Sequence, residues 1–330
     1  MKVSEIGEFG LIDRLEKMIA DAKANRFSRD LLIGIGDDCA AWKCSGKIQL
    51  ATVDSMVEGI HFTADTAAWR EIGWKSLAIN LSDIAAMGGA PRYALINLAV
   101  PPDTHADSVF QLYEGIIELA VQTKTAIVGG NISGAPQVSI TITVIGESVN
   151  GNILKRSAAK PGDVIAVTGW PGSAAGGLAM LMQKLKFTKA DTTYFRNAFL
   201  HPTPRLNEGQ VMLTNGITAA IDTSDGLLSD LRHICEASKV GARVKIENVP
   251  IHELLKKNFK AKAVEMALTG GEDYELLFTG DEGTIIDVQE IIECPLHFIG
   301  EIIAGTPGKI ELLDAAGKSV ALKKAGWTHF

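Results

Sequence analysis

Cysteine is scarce in this chain and forms none of the spacings that build a zinc site or a disulfide framework. The 330 residues contain four cysteines, and no two of them form a C-x-x-C pair. Isolated thiols of this kind are typical of a reducing compartment. The cysteine pattern therefore argues against a disulfide-stapled or zinc-dependent fold, and it predicts a cytoplasmic protein.

Common catalytic motifs are also missing. The chain has no G-x-x-x-x-G-K-[ST] loop, no H-R-D, no G-x-S-x-G elbow and no H-E-x-x-H pair. These absences argue against a P-loop enzyme and a protein kinase. The seven histidines are scattered singly, which disfavours a histidine-driven acid–base mechanism.

Long apolar runs and positive charge are lacking as well. No apolar run approaches the roughly 18 residues that a membrane helix needs, and the opening MKVSEIGEFG has no apolar core of a signal peptide. The net charge of −7 disfavours nucleic acid as the main partner, because a phosphate backbone attracts a basic surface. A composition of 46% hydrophobic and 22% charged residues fits a globular protein, most simply one of two domains.

What the chain does have is acid, gathered in five clusters beside glycines or strand-like runs. They are Asp37 and Asp38, Asp54 and Glu58, Asp83, Asp222 and Asp225, and Glu272 and Asp273. Carboxylates brought together repel one another unless a cation neutralises them. Magnesium prefers such hard oxygen ligands and commonly bridges them to phosphates. The clusters therefore indicate an enzyme that handles phosphate.

Strand-like and helix-like segments alternate along the chain, which predicts an α/β or α+β fold of two domains. Helical spacing marks residues 8–24 and 69–87, and VSITITVIGES (138–148) has the clearest strand pattern. The polar, turn-rich stretch 149–162 predicts a boundary. We expect an N-terminal domain over residues 1–149 and a C-terminal domain over 150–330 that completes the active-site cleft.

Two motifs in the first half have competing interpretations. GIGDDCAAW (34–42) partly mimics a dinucleotide fingerprint, but two acids stand where a pyrophosphate would lie, so a turn with solvated acids is the favoured interpretation of this motif taken alone. Thr52 and Asp54 share one face of a strand and can share a metal. His61 is a candidate phosphate contact or a structural histidine.

Three further motifs are also ambiguous when taken alone. Asp83 lies three residues after Asn80 in an apolar helical stretch, where an unpaired acid is costly and suggests a cation; the alternative is capping near a helix start. AIVGGNISG (126–134) suggests a strand followed by a phosphate-binding glycine turn. IDTSDG (221–226) has two acids three residues apart, which is more than an N-cap requires.

Taken together, ten segments resemble the thiamine-monophosphate kinase family, within the superfamily of aminoimidazole ribonucleotide synthetase. In order along the chain they are GEFGLI (7–12), GIGDDCA (34–40), VDSMVEGIHF (53–62), NLSDIAAMG (80–88), GGNIS (129–133), KRSAAKPGD (155–163), HPTPR (201–205), IDTSDGLLSDL (221–231), GGEDYELLF (270–278) and GWTHF (326–330). The resemblance covers almost the whole chain, and ten segments in the same order are highly specific.

The resemblance implies an ATP-dependent phosphotransferase that gives thiamine diphosphate and ADP from ATP and thiamine monophosphate. It also implies a homodimer formed through the N-terminal sheet, and three sets of site residues. Several magnesium ions are implied at Asp38, Thr52, Asp54, Asp83, Asp222 and Asp225, with Asp37 beside them. ATP contacts are implied at Gly130, Asn131, Arg156, Ser224 and Tyr113. Substrate contacts are implied at His61, Glu272 and Trp327.

One position departs from the common pattern. Many members have an aspartate ligand where this chain has Asn131, which keeps a carbonyl oxygen but removes a charge. No general base is expected, because a phosphomonoester with a second pKa of about 6 is already largely dianionic at neutral pH. The alternatives are a synthetase or selenophosphate synthetase of the same superfamily, and a non-catalytic nucleotide-binding regulator.

Overall fold

The computed structural model describes Gly10, Ile12, Lys17, residues 30–63 and residues 65–320. Gly10, Ile12 and Lys17 are helical, and the rest of the helix predicted over residues 8–24 lies outside the described residues, as does Trp327. In the described part, strands and helices mix in both halves of the chain, which confirms the predicted α/β class.

The first half forms one six-stranded sheet with two helices against it. Its elements are β1 (Leu31–Ile33), β2 (Ala40–Cys44), β3 (Lys47–Val57), α1 (Trp69–Ala86), β4 (Gly89–Val100), α2 (Ala106–Gln122), β5 (Ala126–Gly134) and β6 (Ser139–Ser148). The strand order is β1-β2-β3-β6-β4-β5, with only the β4–β5 pair parallel. Along β6, Ile140, Ile142 and Val144 are buried with the two-residue period of a strand that has one face in a core.

The second half forms another six-stranded sheet, in the order β12-β9-β11-β7-β10-β8. Its strands are β7 (Val164–Thr168), β8 (Ala219–Asp222), β9 (Gly241–Lys245), β10 (Leu276–Gly280), β11 (Leu296–Ile303) and β12 (Ile310–Leu313). Its helices are α3 (Ser173–Met182), α4 (Lys189–Leu200), α5 (Leu206–Thr214), α6 (Leu227–Ser238), α7 (Glu253–Phe259), α8 (Lys262–Thr269) and α9 (Glu282–Ile291). Short 3₁₀ turns lie at Arg156–Ala158 and Ile246–Asn248. The proposed boundary after residue 149 falls between the two sheets and stays a prediction.

Helix α1 connects the two halves. It is buried on nearly every side, packing on α2, on the first sheet and on α5. At the crossing with α2, a Cβ on Gly73 would lie 1.9 Å from the carbonyl oxygen of Leu112, so only glycine allows this approach. Trp74 also donates its indole N–H to the carbonyl of Pro202 at 3.0 Å. This central helix brings residues of both halves within reach of one another.

Two local predictions were wrong. The stretch 126–134 is not a strand followed by a glycine turn, because β5 continues through Gly129 and Gly130 and pairs with Leu95 and Ile96 of β4. A Cβ on Gly130 would lie 1.8 Å from the carbonyl oxygen of Ile96, so the glycine permits close strand pairing. Strand β2 was missed, because the turn assigned to 34–42 ends at Cys39.

Candidate active site

Acidic side chains from both halves converge beside α1. The loop before β2 provides Asp37 and Asp38, and the last turn of α1 provides Asp83. Asp222 ends β8, an edge strand of the second sheet. Carboxylate oxygens of Asp38, Asp83 and Asp222 all lie within 4.8 Å of one another. The structure thus brings together three acids that are far apart in sequence.

Burial makes this cluster electrostatically unfavourable without a cation. The pKa of Asp83 is raised well above its usual value by burial and by the charges of Asp222, Asp54 and Asp38. The pKa of Asp222 is raised for the same reasons, first by burial and then by the charge of Asp38. Buried carboxylates that repel one another are the donor set that a divalent cation stabilises.

Hydroxyl and amide groups hold the acids in place. Thr52 Oγ1 donates to Asp83 Oδ2 at 2.5 Å, and Ser82 Oγ donates to Asp222 Oδ2 at 2.6 Å. The backbone N–H of the exposed residue Asp54 donates to the Oδ1 of Asn80 at 3.0 Å. Asp83 lies in the last turn of α1, so it does not cap a helix start. The alternative interpretation of Asp83 as a capping residue was therefore wrong.

Arg156 lies against the two acids of the first turn. Its guanidinium donates to both carboxylate oxygens of Asp38, at 2.7 and 3.2 Å, and its backbone N–H donates to Asp37 at 3.2 Å. Burial, and then the charge of Asp38, raises the pKa of Asp37 to about 7. The predicted nucleotide contact and two predicted metal ligands therefore form one charged group across the two halves.

A second acidic group lies at the start of α6. Ligand atoms of Asp225, Asp230 and His233 lie within 4.8 Å of one another. Asp230 is 1% exposed and accepts the N–H of Gly226 at 3.0 Å, and burial lowers the pKa of His233 to about 4. Sequence reasoning found Asp225 but missed the other two, although the i, i+3 spacing of Asp230 and His233 on a helix was a usable signal.

The GGEDYE segment is pinned beside the turn that follows β8. Glu272 and Tyr274 have left-handed φ angles of 66° and 52°, and their N–H groups donate to the carbonyls of Ser224 and Thr223 at 2.8 and 2.9 Å. The Asp273 carboxylate accepts the N–H groups of Gly172 and Ala174 around the start of α3. Asp273 is thus structural, whereas the half-buried carboxylate of Glu272 lies 3.0 Å from the Nζ of Lys75.

Other predicted residues lie elsewhere. Gly130 and Asn131 are exposed on the edge strand β5, and two strands, β6 and β4, separate it from the Asp54 strand, or roughly 14 Å at the usual spacing. Tyr113 lies within α2 and packs against the first core. His61 lies in the turn after β3, and its Nδ1 accepts the N–H of Val57 at 3.0 Å.

An open cleft of about 940 Å³ adjoins the acidic cluster. Asp37, Asp38, Thr52 and Arg156 line its polar part. Its apolar part includes the exposed side chains of Ile35 and Val53, 46% and 60% exposed. A cleft of this volume with a few convergent polar groups suits a small-molecule ligand.

The fold and this site define a two-domain protein of the class described as AIR synthase related proteins: the N-terminal domain of that class matches residues 36–148, and its C-terminal domain matches residues 160–312. The thiamine-monophosphate kinase of Bacillus subtilis is 38% identical over 308 residues, covering 90% of this chain and 93% of the relative. That of Escherichia coli K12 is 37% identical over 330 residues, covering 98% of each. This chain belongs to the thiamine-monophosphate kinase family.

A solved structure supports the same assignment. AaThiL complexed with AMPPCP and TMP matches with a TM-score of 0.86 at 31% identity, covering 100% of this chain and 99% of that chain. The family resemblance predicted from the ten segments is thereby confirmed. Among the residues that the structure describes, no helix is both long and apolar enough to cross a membrane.

Proposed function

We propose that this chain transfers the terminal phosphate of ATP to thiamine monophosphate, giving thiamine diphosphate and ADP. The observation that carries the proposal is the gathering of Asp38, Asp83 and Asp222 within 4.8 Å where the two halves meet, beside a cleft that Arg156 lines. The names of its relatives, and the ATP analogue and TMP bound by one of them, support the same reaction.

The donor set fits magnesium. Asp38 and Asp222 are buried and Asp83 is half-buried. The pKa values of Asp83 and Asp222 are raised, so the ionised cluster favours a compensating charge, and its oxygens are hard ligands. The proposed ligands are Asp38, Thr52, Asp54, Asp83 and Asp222, with Asp37 beside them and Asp225 at the second acidic group. Asn131 is proposed only as a nucleotide contact, because β5 lies across the sheet from these acids.

Bound magnesium supplies positive charge that offsets the repulsion between two phosphorylated molecules. The protein's part is positioning. Arg156 presents a planar guanidinium suited to phosphate oxygens. The ring of His61 is held in place by the backbone N–H of Val57, which donates to its Nδ1. The acceptor is a phosphate oxygen that is already ionised near neutral pH, so no side chain has to remove a proton.

Gly130, Asn131, Ser224 and Tyr113 complete the proposed ATP contacts, and Glu272 and Trp327 the proposed substrate contacts. An indole such as that of Trp327 can stack on a cationic ring. A homodimer is also proposed. It is supported by β5, an edge strand of the first sheet in the part of the chain that the structure describes. Val128 and Ile132 on this strand are 55% and 65% exposed, and sheet edges pair readily with another chain. The free cysteines support a cytoplasmic enzyme.

ADP release with thiamine monophosphate, with thiamine and with no acceptor tests the proposal. We expect magnesium-dependent ADP release only with thiamine monophosphate, together with formation of thiamine diphosphate. Equal turnover without thiamine monophosphate would identify a different ATP-dependent enzyme of this class. Binding of ATP without turnover of any acceptor would identify a non-catalytic regulator.

A further inference from the structure

A buried lysine lies directly behind the proposed substrate contact Glu272. Lys75 lies on α1 and is 1% exposed. Its Nζ lies 3.0 Å from the Oε1 of Glu272, whose side chain is 27% exposed. The lysine is therefore enclosed by protein, whereas the glutamate contacts the lysine and is partly exposed to solvent.

The groups around Lys75 favour a positive charge on its side chain. Its Nζ lies 3.6 Å from the centroid of the Phe199 ring, a geometry in which the aromatic face attracts an ammonium group. Burial lowers the pKa of Lys75, and the charge of Glu272 opposes that shift. A buried ammonium group is unfavourable unless it is paired, so the position requires the partners that it has.

The location along α1 relates this ion pair to the acidic cluster. Lys75 and Asp83 are eight residues apart and lie on the same stripe of the helix, because residues four apart share a face. At 1.5 Å per residue the separation along the axis is about 12 Å. An extended acceptor whose phosphate lies at the acidic cluster would therefore present its distal ring near Glu272.

The backbone of Glu272 is fixed independently of the ion pair. Its left-handed φ of 66° is unusual for a glutamate, and its N–H donates to the carbonyl of Ser224 at 2.8 Å. Neighbouring Gly271 allows this approach, because a Cβ there would lie 2.4 Å from the same carbonyl oxygen. The backbone therefore fixes where the Glu272 side chain begins, and the contact with Lys75 fixes where its carboxylate ends.

We propose that Lys75 is a positioning residue that holds the Glu272 carboxylate toward the distal, amino-bearing ring of the acceptor. The inference rests on the proposed function. With one carboxylate oxygen against Lys75, the other is oriented to accept a hydrogen bond from a ring amino group. Because the ion pair is neutral as a whole, it selects a hydrogen-bond donor rather than a second cation.

The test compares steady-state kinetics of Lys75→Met, Lys75→Arg, Glu272→Gln and the double variant Lys75→Met/Glu272→Gln. For Lys75→Met we expect KM for thiamine monophosphate to rise roughly 10-fold to 100-fold, with a smaller change in kcat and no change in KM for ATP. Lys75→Arg restores part of the loss. The double variant has a KM no higher than that of Glu272→Gln, because Lys75 acts through Glu272.

A matched control removes another ion pair from the same helix. Arg196 pairs with Glu71, one turn before Lys75, and Arg196→Met should lower the thermal stability without changing KM for thiamine monophosphate. If Lys75→Met does not fold, the double variant decides the matter, since it leaves no buried unpaired charge.

Two results would overturn the inference: additive effects in the double variant, or an equal KM change in Arg196→Met. Failure of the wild-type protein to phosphorylate thiamine monophosphate would instead overturn the proposed function, and the inference with it.

Discussion

Carboxylate oxygens of Asp83 and Asp222 lie within 4.8 Å of each other, although one residue lies in the last turn of a helix of the first half and the other ends a strand of the second. Both pKa values are raised, first by burial and then by neighbouring negative charges. The acids at the junction between the halves therefore repel one another when ionised, and binding of a proton or a cation reduces this repulsion. The stability of this junction should depend on pH and on metal.

We expect the metal-free protein to lose stability as pH rises. A carboxyl group whose pKa is raised in the folded state contributes its full stabilisation at pH values below its unfolded pKa of 3.8. It loses that contribution as the pH rises through its folded pKa, which is about 7 for Asp37. In EDTA the free energy of unfolding should fall by about 2 kcal/mol between about pH 5 and about pH 8.

Thermal or denaturant unfolding with and without magnesium checks this expectation. Magnesium should restore most of the loss at the higher pH, because it binds the ionised form. Asp222→Asn should flatten the pH dependence in EDTA. A stability that rises with pH in EDTA would contradict the electrostatic account of the cluster.

Asp54→Asn should abolish phosphoryl transfer and leave the fold intact. The backbone N–H of Asp54 donates to the Oδ1 of Asn80 on α1, and that bond survives the substitution. The kcat should fall roughly 100-fold or more, with a melting temperature unchanged or raised, because one negative charge is removed from a crowded site.

Glu58→Gln is the matched control, since its carboxylate accepts the N–H of Val138 at 3.2 Å in a neighbouring turn. It should retain activity. Unfolding of Asp54→Asn would show that this acid is structural.

Ser82 should act on metal affinity through Asp222. Its hydroxyl donates to Asp222 Oδ2 at 2.6 Å, and groups that orient a metal ligand typically change affinity by about 10-fold to 100-fold. Ser82→Ala should therefore raise the magnesium concentration for half-maximal activity roughly 10-fold. Ser76→Ala on the same helix removes a hydroxyl that donates only to the carbonyl of Gly73, and it should leave the magnesium dependence unchanged.

The sequence predicted the chemistry of the site better than its shape. Asp83 was recognisable because an acid in an apolar helical stretch needs a partner, and alternating strands and helices predicted the fold class. The β3-β6-β4 pairing joins strands far apart in sequence, and residue patterns do not specify such partners. Lys75 and Asp230 escaped notice because a single charged residue in a helix is usually solvent-exposed; only the tertiary structure shows each to be 1% exposed.

The edge strand β5 of the first sheet, as far as the structure describes the chain, predicts the oligomeric state. Ile132 on β5 is 65% exposed, and a lysine on an edge strand disfavours pairing with another chain. Ile132→Lys should shift a dimer toward monomer in sedimentation or size-exclusion experiments. Val121, 71% exposed on α2, provides the control Val121→Lys, which should leave the dimer intact. An unchanged dimer in Ile132→Lys would place the interface elsewhere.

Arg156 has two alternative partners, an acid of the cluster and the proposed nucleotide, and the exchange between them can be measured. Without ligands its guanidinium lies against Asp38 at 2.7 Å, and it is a proposed contact of the nucleotide. Arg156→Gln should raise KM for ATP roughly 10-fold or more.

In EDTA, Arg156→Gln should also destabilise the protein by about 3 kcal/mol, since the acids of the turn lose their counter-charge. Magnesium should reduce that loss, because it supplies the same charge. Arg243→Gln, which removes surface pairs with Glu301 and Glu311, should change stability much less and leave KM for ATP unchanged. A stability loss in Arg156→Gln that magnesium does not reduce would show that Arg156 and the metal do not neutralise the same acids.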